Sequence, residues 1–307
     1  MTTTLERLIM RHYIALLRPK QWLKNLFVFA PLIFARELFQ GEPLFASLKA
    51  FVAFCLAASA VYIINDASDI EADRSHPQKK HRPLAAGSVS RAGAGGVVVL
   101  LLLLIGVILS GMDVRFSVTL VFYVLLNLAY SFKLKEVVLL DVFIIAAGFM
   151  LRVLGGAYAI GVKVSSWIVL CSLFISLFLG FAKRRGELIQ AQNTGGQTQR
   201  KVLLMYRVDF IDQMLTIAAA GAVISYALYT VAPRTIEEFH TERLIYTTVF
   251  VIYGVFRYLY LVHTTPTIEN PTNAVTSDPT IIVTGLLWIA TCIAVIYSGG
   301  NLPFLSR

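Results

Sequence analysis

The sequence predicts an all-α polytopic membrane protein, a bundle of nine transmembrane helices preceded by an amphipathic helix. Three observations carry that prediction. Of the 307 residues, 57% are hydrophobic and 15% charged, and the mean hydropathy is +0.71, a balance typical of membrane-embedded chains. The apolar residues gather into segments of about 20, the length that crosses a hydrocarbon core as a helix. Lys and Arg concentrate in alternate connections between those segments, as they do in membrane proteins with a fixed orientation.

Taken in order, Leu5, Leu8, Ile9, Leu16 and Leu17 recur at helical spacing among Arg7, Arg11 and Arg18. That pattern reads as an interfacial amphipathic helix over 1–21. The nine apolar segments lie at 22–39, 44–64, 93–111, 116–132, 138–160, 165–182, 211–232, 244–263 and 281–299. Helices are expected throughout, because open strands would leave backbone groups unpaired in lipid. The first 20 residues lack a compact apolar core before a small-residue cleavage site, so no cleavable signal peptide is expected. The chain reads as one transmembrane domain, 1–307, with two long charged loops at 65–92 and 183–208. Those loops follow the second and sixth segments, a spacing that suggests a duplicated four-helix unit plus one further helix.

The charge count orients the chain. Eighteen Lys and Arg fall on the side of the amino terminus and the loops at 65–92, 133–137 and 183–207, against six on the other side. The amino terminus and the charged loops are therefore expected in the cytoplasm, and the carboxyl terminus outside, in a multi-pass inner-membrane protein. A net charge of +9 could signal nucleic acid, but no soluble domain carries a basic face. Anionic lipid and phosphorylated substrates fit better. Cys55, Cys171 and Cys292 all lie in apolar runs, where cysteine packs as a small apolar residue rather than pairing or binding metal.

The chemistry centres on Asn65 to Gly87, NDASDIEADRSHPQKKHRPLAAG. Continued as a helix from the preceding segment, Asp66, Asp69 and Asp73 fall at i, i+3 and i+7, on one face with Asn65 beside them. Three clustered carboxylates repel one another. A hard divalent cation, Mg²⁺ above all, relieves that repulsion and bridges to substrate phosphate. Lys79, Lys80 and Arg82 follow within one loop and can hold phosphate themselves. A solvated acidic helix end is the plainer alternative, but charge beside a membrane segment is costly and usually functional.

The pattern NDxxDxxxD followed by HPxKxxRPLAAG, here Asn65, Asp66, Asp69, Asp73, His76, Pro77, Lys80, Arg82, Pro83 and Gly87, resembles the first aspartate-rich motif of the UbiA superfamily of intramembrane prenyltransferases. The resemblance implies a helical bundle enclosing one central cavity, open laterally to lipid. Members that prenylate aromatic rings carry a second aspartate-rich motif in the later loop. Lys183, Arg184 and Arg185 stand there instead, with Glu187 the nearest carboxylate. Arg forks match phosphate oxygens, and Lys supplies a point charge; a plain positive-inside anchor is the alternative.

Further candidates are Lys133 and Lys135 after the fourth segment, then Asp141 and Arg152, eleven residues apart and so on one helical face. Tyr206 and Arg207 precede the seventh segment, and Arg257 reads as a buried cation among Tyr253, Tyr258 and Tyr260. Intramembrane charges of this kind face a bundle interior or a cavity, although a structural ion pair would also account for Arg152.

With the stretches at 130–159 and 181–188, the whole chain resembles the branch of that superfamily that moves phosphoribose onto a polyprenyl phosphate. The resemblance implies phosphoribosyl pyrophosphate as donor, decaprenyl or another polyprenyl phosphate as acceptor, Mg²⁺ as cofactor, and a product that feeds lipid-linked arabinose donors for cell-wall arabinan. Asp66, Asp69, Asp73, Lys80 and Arg82 would be catalytic, with the three aspartates on the metal. Asn65, Lys79, Lys133, Lys135, Asp141, Arg152, Lys183, Arg184, Arg185, Glu187, Tyr206, Arg207 and Arg257 would bind substrate. Membrane lipid is the other partner, no nucleic acid is expected, and a homo-oligomer is compatible. The alternatives are a prenyltransferase using polyprenyl pyrophosphate and a small acceptor, and a transporter of anionic solutes.

Overall fold

The computed structural model describes residues 2–75, 79–193, 201–264 and 277–297. Every regular element among them is helical. Eight helices are long and apolar enough to cross a membrane, consistent with a multi-pass membrane protein. They are α3 (Gly41–Ser68), α5 (Arg91–Leu109), α6 (Val114–Phe132), α7 (Leu140–Ala159), α8 (Ser166–Asn193), α9 (Val208–Val231), α11 (Thr248–Thr264, entered by a 3-10 turn Arg243–Thr247) and α12 (Pro279–Tyr297). Shorter helices are α1 (Thr2–Leu17), α2 (Ala30–Phe34), α4 (Ile70–Arg74) and α10 (Pro233–Phe239).

The ninth expected span, 22–39, is not such a helix. Pro19–Phe29 is a 3-10 helix continued by the five residues of α2. Arg18, immediately before Pro19, is in the left-handed region at φ 53°, and Arg36 closes the passage at φ 59°. A 3-10 helix has about three residues per turn, so positions i and i+3 eclipse. Trp22, Asn25 and Val28 therefore form one stripe. That stripe meets α3 in antiparallel order: Trp22 Nε1 donates to Ser59 Oγ at 3.1 Å, Asn25 Nδ2 to Cys55 Sγ at 3.2 Å, and the Phe29 ring lies 5.4 Å from Phe51. Hydropathy sees only apolar content, so it reads this compact passage as one more helix.

The chain forms two compact units. One is Met1–Lys133 with Leu151–Lys163; the other is Leu134–Met150 with Val164–Arg307. In the amino-terminal unit, Val28, Phe54, Phe116, Leu120, Tyr123 and Leu151 make one core. A second joins Leu16, Ile63, Ile70, Leu84 and Leu101. Leu16 is buried while Met10 and Ile14 are exposed, so α1 packs its end on this core rather than only lying in an interface. Gly156 allows close approach: a Cβ there would stand 2.0 Å from the Val28 carbonyl oxygen. Ser90 caps α5 by accepting from Gly93 N at 3.0 Å, and Asp113 caps α6 by accepting from Arg115 N at 2.7 Å, each satisfying an amide that the helix cannot.

In the carboxy-terminal unit, Val142, Phe178, Phe181, Ile211, Leu215 and Tyr258 are central. The rows Val99, Leu100 and Leu102–Leu104 on α5, and Val283, Leu286 and Leu287 on α12, are exposed, as faces against lipid would be.

Candidate active site

The motif after α3 bends instead of continuing as one helix. α3 ends at Ser68, Asp69 is non-helical at φ −98° and ψ 12°, and α4 begins at Ile70. The bend changes the expected one-face trio. Asp66 and Asp73, both buried, converge on a single nitrogen: Arg82 Nη1 donates to Asp66 Oδ1 at 3.0 Å and to Asp73 Oδ2 at 2.7 Å. Asp69 instead accepts from Asn65 Nδ2 at 3.1 Å. Among the described residues no group of three or more His, Cys, Asp or Glu is placed to hold a metal, so the three aspartates are not assembled as one cluster here. His76 and Pro77 of the motif lie outside the described residues. Lys79 is half-buried and Lys80 exposed. Gly87 ends the loop at φ 74°, a conformation that favours glycine.

The carboxylates still fit a divalent cation. Asp66 and Asp73 offer hard oxygen donors to one point that a guanidinium nitrogen now occupies, and Mg²⁺ is commonly held by one or two carboxylates with water and substrate phosphate completing its shell.

A residue not singled out in the sequence completes this cluster. Arg18 Nη2 donates to both Asp66 oxygens, at 2.6 and 2.7 Å, and its guanidinium lies 5.0 Å from the Tyr62 ring centre. Its left-handed backbone is a costly conformation for a non-glycine residue. Lys24 was also missed. It is half-buried, and burial together with Arg152 and Arg18 pushes its ammonium down to about 8. The available signal was the polar spacing of RPKQWLKN inside a stretch otherwise read as apolar.

Asp141 and Arg152 each bond other residues. Arg152 Nε donates to Asn25 Oδ1 at 2.7 Å and its Nη2 to Tyr123 Oη at 2.8 Å, all within the amino-terminal unit. Asp141 belongs to the other unit, where it is fully buried against Arg184. Tyr206 Oη donates to Asp141 Oδ1 at 2.7 Å and accepts from Leu139 N at 2.7 Å. Burial and then the Asp141 carboxylate raise the Tyr206 phenol, so it remains protonated. Arg184 also bonds Glu187, and Lys183 Nζ lies 3.8 Å from Glu187 Oε1. Arg185 donates to Asp212 Oδ1 at 2.6 Å and to the Val262 carbonyl at 2.8 Å.

The triplet is therefore not three cations presented alike. Arg184 and Arg185 are buried and satisfied by carboxylates, because an uncompensated buried charge is prohibitively costly. Lys183 retains 30% side-chain exposure. Arg207 is an exposed surface partner of Asp209. Arg257 corrects the expectation of a buried cation: it is half-exposed, 2.8 Å from Asp278 and over Tyr260 at 5.4 Å. Lys133 is exposed and Lys135 half-buried, either side of Leu134.

Against known proteins, residues 26–266 match the model of the UbiA prenyltransferase family. The chain is 40% identical over 217 residues to a decaprenyl-phosphate phosphoribosyltransferase of Corynebacterium glutamicum, covering 69% of this chain and 65% of that one. It is 38% identical over 216 residues to the protein of that name in Mycolicibacterium smegmatis, covering 69% and 68%. A UbiA homologue from Archaeoglobus fulgidus solved with GPP and Mg²⁺ superposes with a TM-score of 0.69 at 19% identity, over 95% of this chain and all of that one. The match spans most of the sequence, and the chain belongs to the UbiA prenyltransferase family.

Proposed function

We propose that this protein transfers a 5-phosphoribosyl group from phosphoribosyl pyrophosphate to a polyprenyl phosphate, decaprenyl phosphate being the acceptor class, and releases pyrophosphate. The observation that carries this reading is the 40% identity to a relative named decaprenyl-phosphate phosphoribosyltransferase. The site chemistry supports it. An oxygen of the lipid phosphate forms the new bond to the anomeric carbon as the bond to the diphosphate oxygen breaks, and direct displacement inverts that carbon. The acceptor phosphate is already an anion near neutral pH, so no general base is required.

Asp66 and Asp73, with Asn65 and Asp69 on the adjoining turn, would hold a divalent cation. When bound, that cation neutralises charge building on the departing diphosphate. Arg82 would then pass from the carboxylates to the diphosphate, alongside Lys79 and Lys80. Lys183, the most exposed of its triplet, would contact phosphate directly, while Arg184 and Arg185 position it by fixing α8 to Asp141 and Asp212. The charged loops would face the cytoplasm, where a soluble sugar phosphate is available. The product would supply lipid-linked pentose for cell-wall polysaccharide. The test is a phosphate balance: pyrophosphate release that requires phosphoribosyl pyrophosphate and polyprenyl phosphate together supports the reading, and release with either alone opposes it.

A further inference from the structure

Arg18 holds a backbone conformation that is disfavoured for it twice over. At φ 53° and ψ 56° it is left-handed, which is costly for a residue with a Cβ. It also precedes Pro19, whose ring pushes the preceding residue toward extended backbone. Glycine would occupy the position at lower cost, so the reason for an arginine lies in what its side chain does.

The chain around Arg18 is pinned to one face of α3. Ser59, Tyr62 and Asp66 stand at i, i+3 and i+7 on that face. Ser59 Oγ donates to the Leu17 carbonyl at 2.8 Å and accepts from Trp22 Nε1 at 3.1 Å. The Arg18 guanidinium lies 5.0 Å from the Tyr62 ring centre, and its Nη2 reaches both Asp66 oxygens, at 2.6 and 2.7 Å. One nitrogen is thus almost equidistant from Oδ1 and Oδ2, on the side where a carboxylate chelates a metal through both oxygens. Arg82 differs: its Nη1 meets Oδ1 and joins it to Asp73 Oδ2. The Asp66 side chain is 2% exposed and that of Arg18 22%, so water competes little for this carboxylate.

We infer that Arg18 is a positioning residue that sets the ion selectivity of the site. By keeping the chelating side of Asp66, it leaves the point shared with Asp73 to be reached through Oδ1 alone. The inference rests on the reading that Asp66 and Asp73 hold the divalent cation. A carboxylate offering one oxygen suits Mg²⁺, which demands near-octahedral geometry and keeps several waters. Ca²⁺ gathers roughly six to eight oxygens and accepts a carboxylate through both, so it loses more when chelation is denied.

The test uses the purified full chain and the variants Arg18→Met and Arg18→Lys, with Mn²⁺ as probe. Free Mn²⁺ is followed by electron paramagnetic resonance, and bound Mn²⁺ is displaced by Mg²⁺ and, separately, by Ca²⁺. Both competitors carry the same charge, so removing a repelling guanidinium strengthens them alike and cancels in the ratio of their affinities. A freed second oxygen does not cancel. Arg18→Met should therefore shift the ratio toward Ca²⁺ by about tenfold or more, the scale on which partners of metal-ligating groups act. Arg18→Lys keeps a donor for the carboxylate and should stay closer to wild type than to the Met variant. Wild type itself should bind Mg²⁺ at least as well as Ca²⁺, which needs no variant to fold. An unchanged ratio in Arg18→Met, even with a lowered thermal midpoint, would make Arg18 a structural tie and overturn the inference. A wild type that prefers Ca²⁺ would overturn it too. If wild type binds no Mn²⁺ that Asp66→Asn abolishes, the metal reading itself fails and takes the inference with it.

Discussion

Asp141 and Arg184 form an ion pair in which neither side chain is exposed to solvent. Asp141 sits in the first turn of α7 and Arg184 in α8, so the pair ties two helices of the carboxy-terminal unit. Tyr206 adds a hydrogen bond to the other carboxylate oxygen. Two charges withdrawn together depend on each other more than either contributes alone.

Removing one partner should therefore damage the fold, not only the reaction. Arg184→Ala or Asp141→Ala is expected to cost about 3–5 kcal/mol, the penalty for stranding a buried charge. Lys183→Ala should cost less than about 1 kcal/mol, as a half-exposed pair contributes little. Thermal or denaturant unfolding of the purified variants checks this. Equal stabilities for Arg184→Ala and Lys183→Ala would remove the structural role given to Arg184.

At the bend after α3, activity should depend on added divalent metal and disappear in excess EDTA. Asp66→Asn and Asp73→Asn should each lower turnover by roughly two orders of magnitude or more, the scale of losing one well-placed electrostatic group. Asp69→Asn should be milder than either, because Asp69 lies off the point where the other two meet. Steady-state rates with controlled free Mg²⁺ decide the order, and an Asp69 variant as damaged as the others would show that the three aspartates act together on the metal.

Gly156 and Gly95 should respond oppositely to the same methyl group. Gly156→Ala places Cβ against the Val28 carbonyl, a backbone atom that cannot swing away, and should destabilise by about 1–3 kcal/mol. Gly95→Ala meets open space in α5 and should be neutral or stabilising by about 1 kcal/mol or less. Melting curves of the two variants provide the comparison.

Orientation is testable with single cysteines in a background lacking Cys55, Cys171 and Cys292. Probes at Lys80 and Gln192 should need permeabilised cells for labelling with an impermeant maleimide, and a probe at Glu238 should not. Reversed labelling would invert the topology drawn from Lys and Arg density.

Much of the helical architecture was legible because membrane helices announce themselves by length and apolar content, and α3, α5, α7 and α9 lie close to where hydropathy puts them. The passage at 19–34 was not, since a 3-10 stripe of Trp22, Asn25 and Val28 has a period that an apolar window averages away. That Asp66 and Asp73 share a side was legible from their spacing, and both meet Arg82, yet the break at Asp69 was hidden because nothing in NDASDIEAD forbids a continuous helix. Arg18 and Arg152 show the deeper limit: their partners, Asp66 and Asn25, are 48 and 127 residues away. Sequence spacing within a helix carries no information about contacts at that separation.

The most direct measurement is the product itself. Purified protein is incubated with ribose-labelled phosphoribosyl pyrophosphate, polyprenyl phosphate and Mg²⁺, and in parallel with polyprenyl pyrophosphate and an aromatic acceptor, with mass analysis of the lipid fraction. Phosphoribosyl transfer predicts label in a lipid heavier than the acceptor by one phosphoribosyl group, absent without Mg²⁺ and absent in Asp66→Asn. An unlabelled lipid fraction in the first mixture together with a prenylated aromatic in the second would contradict it.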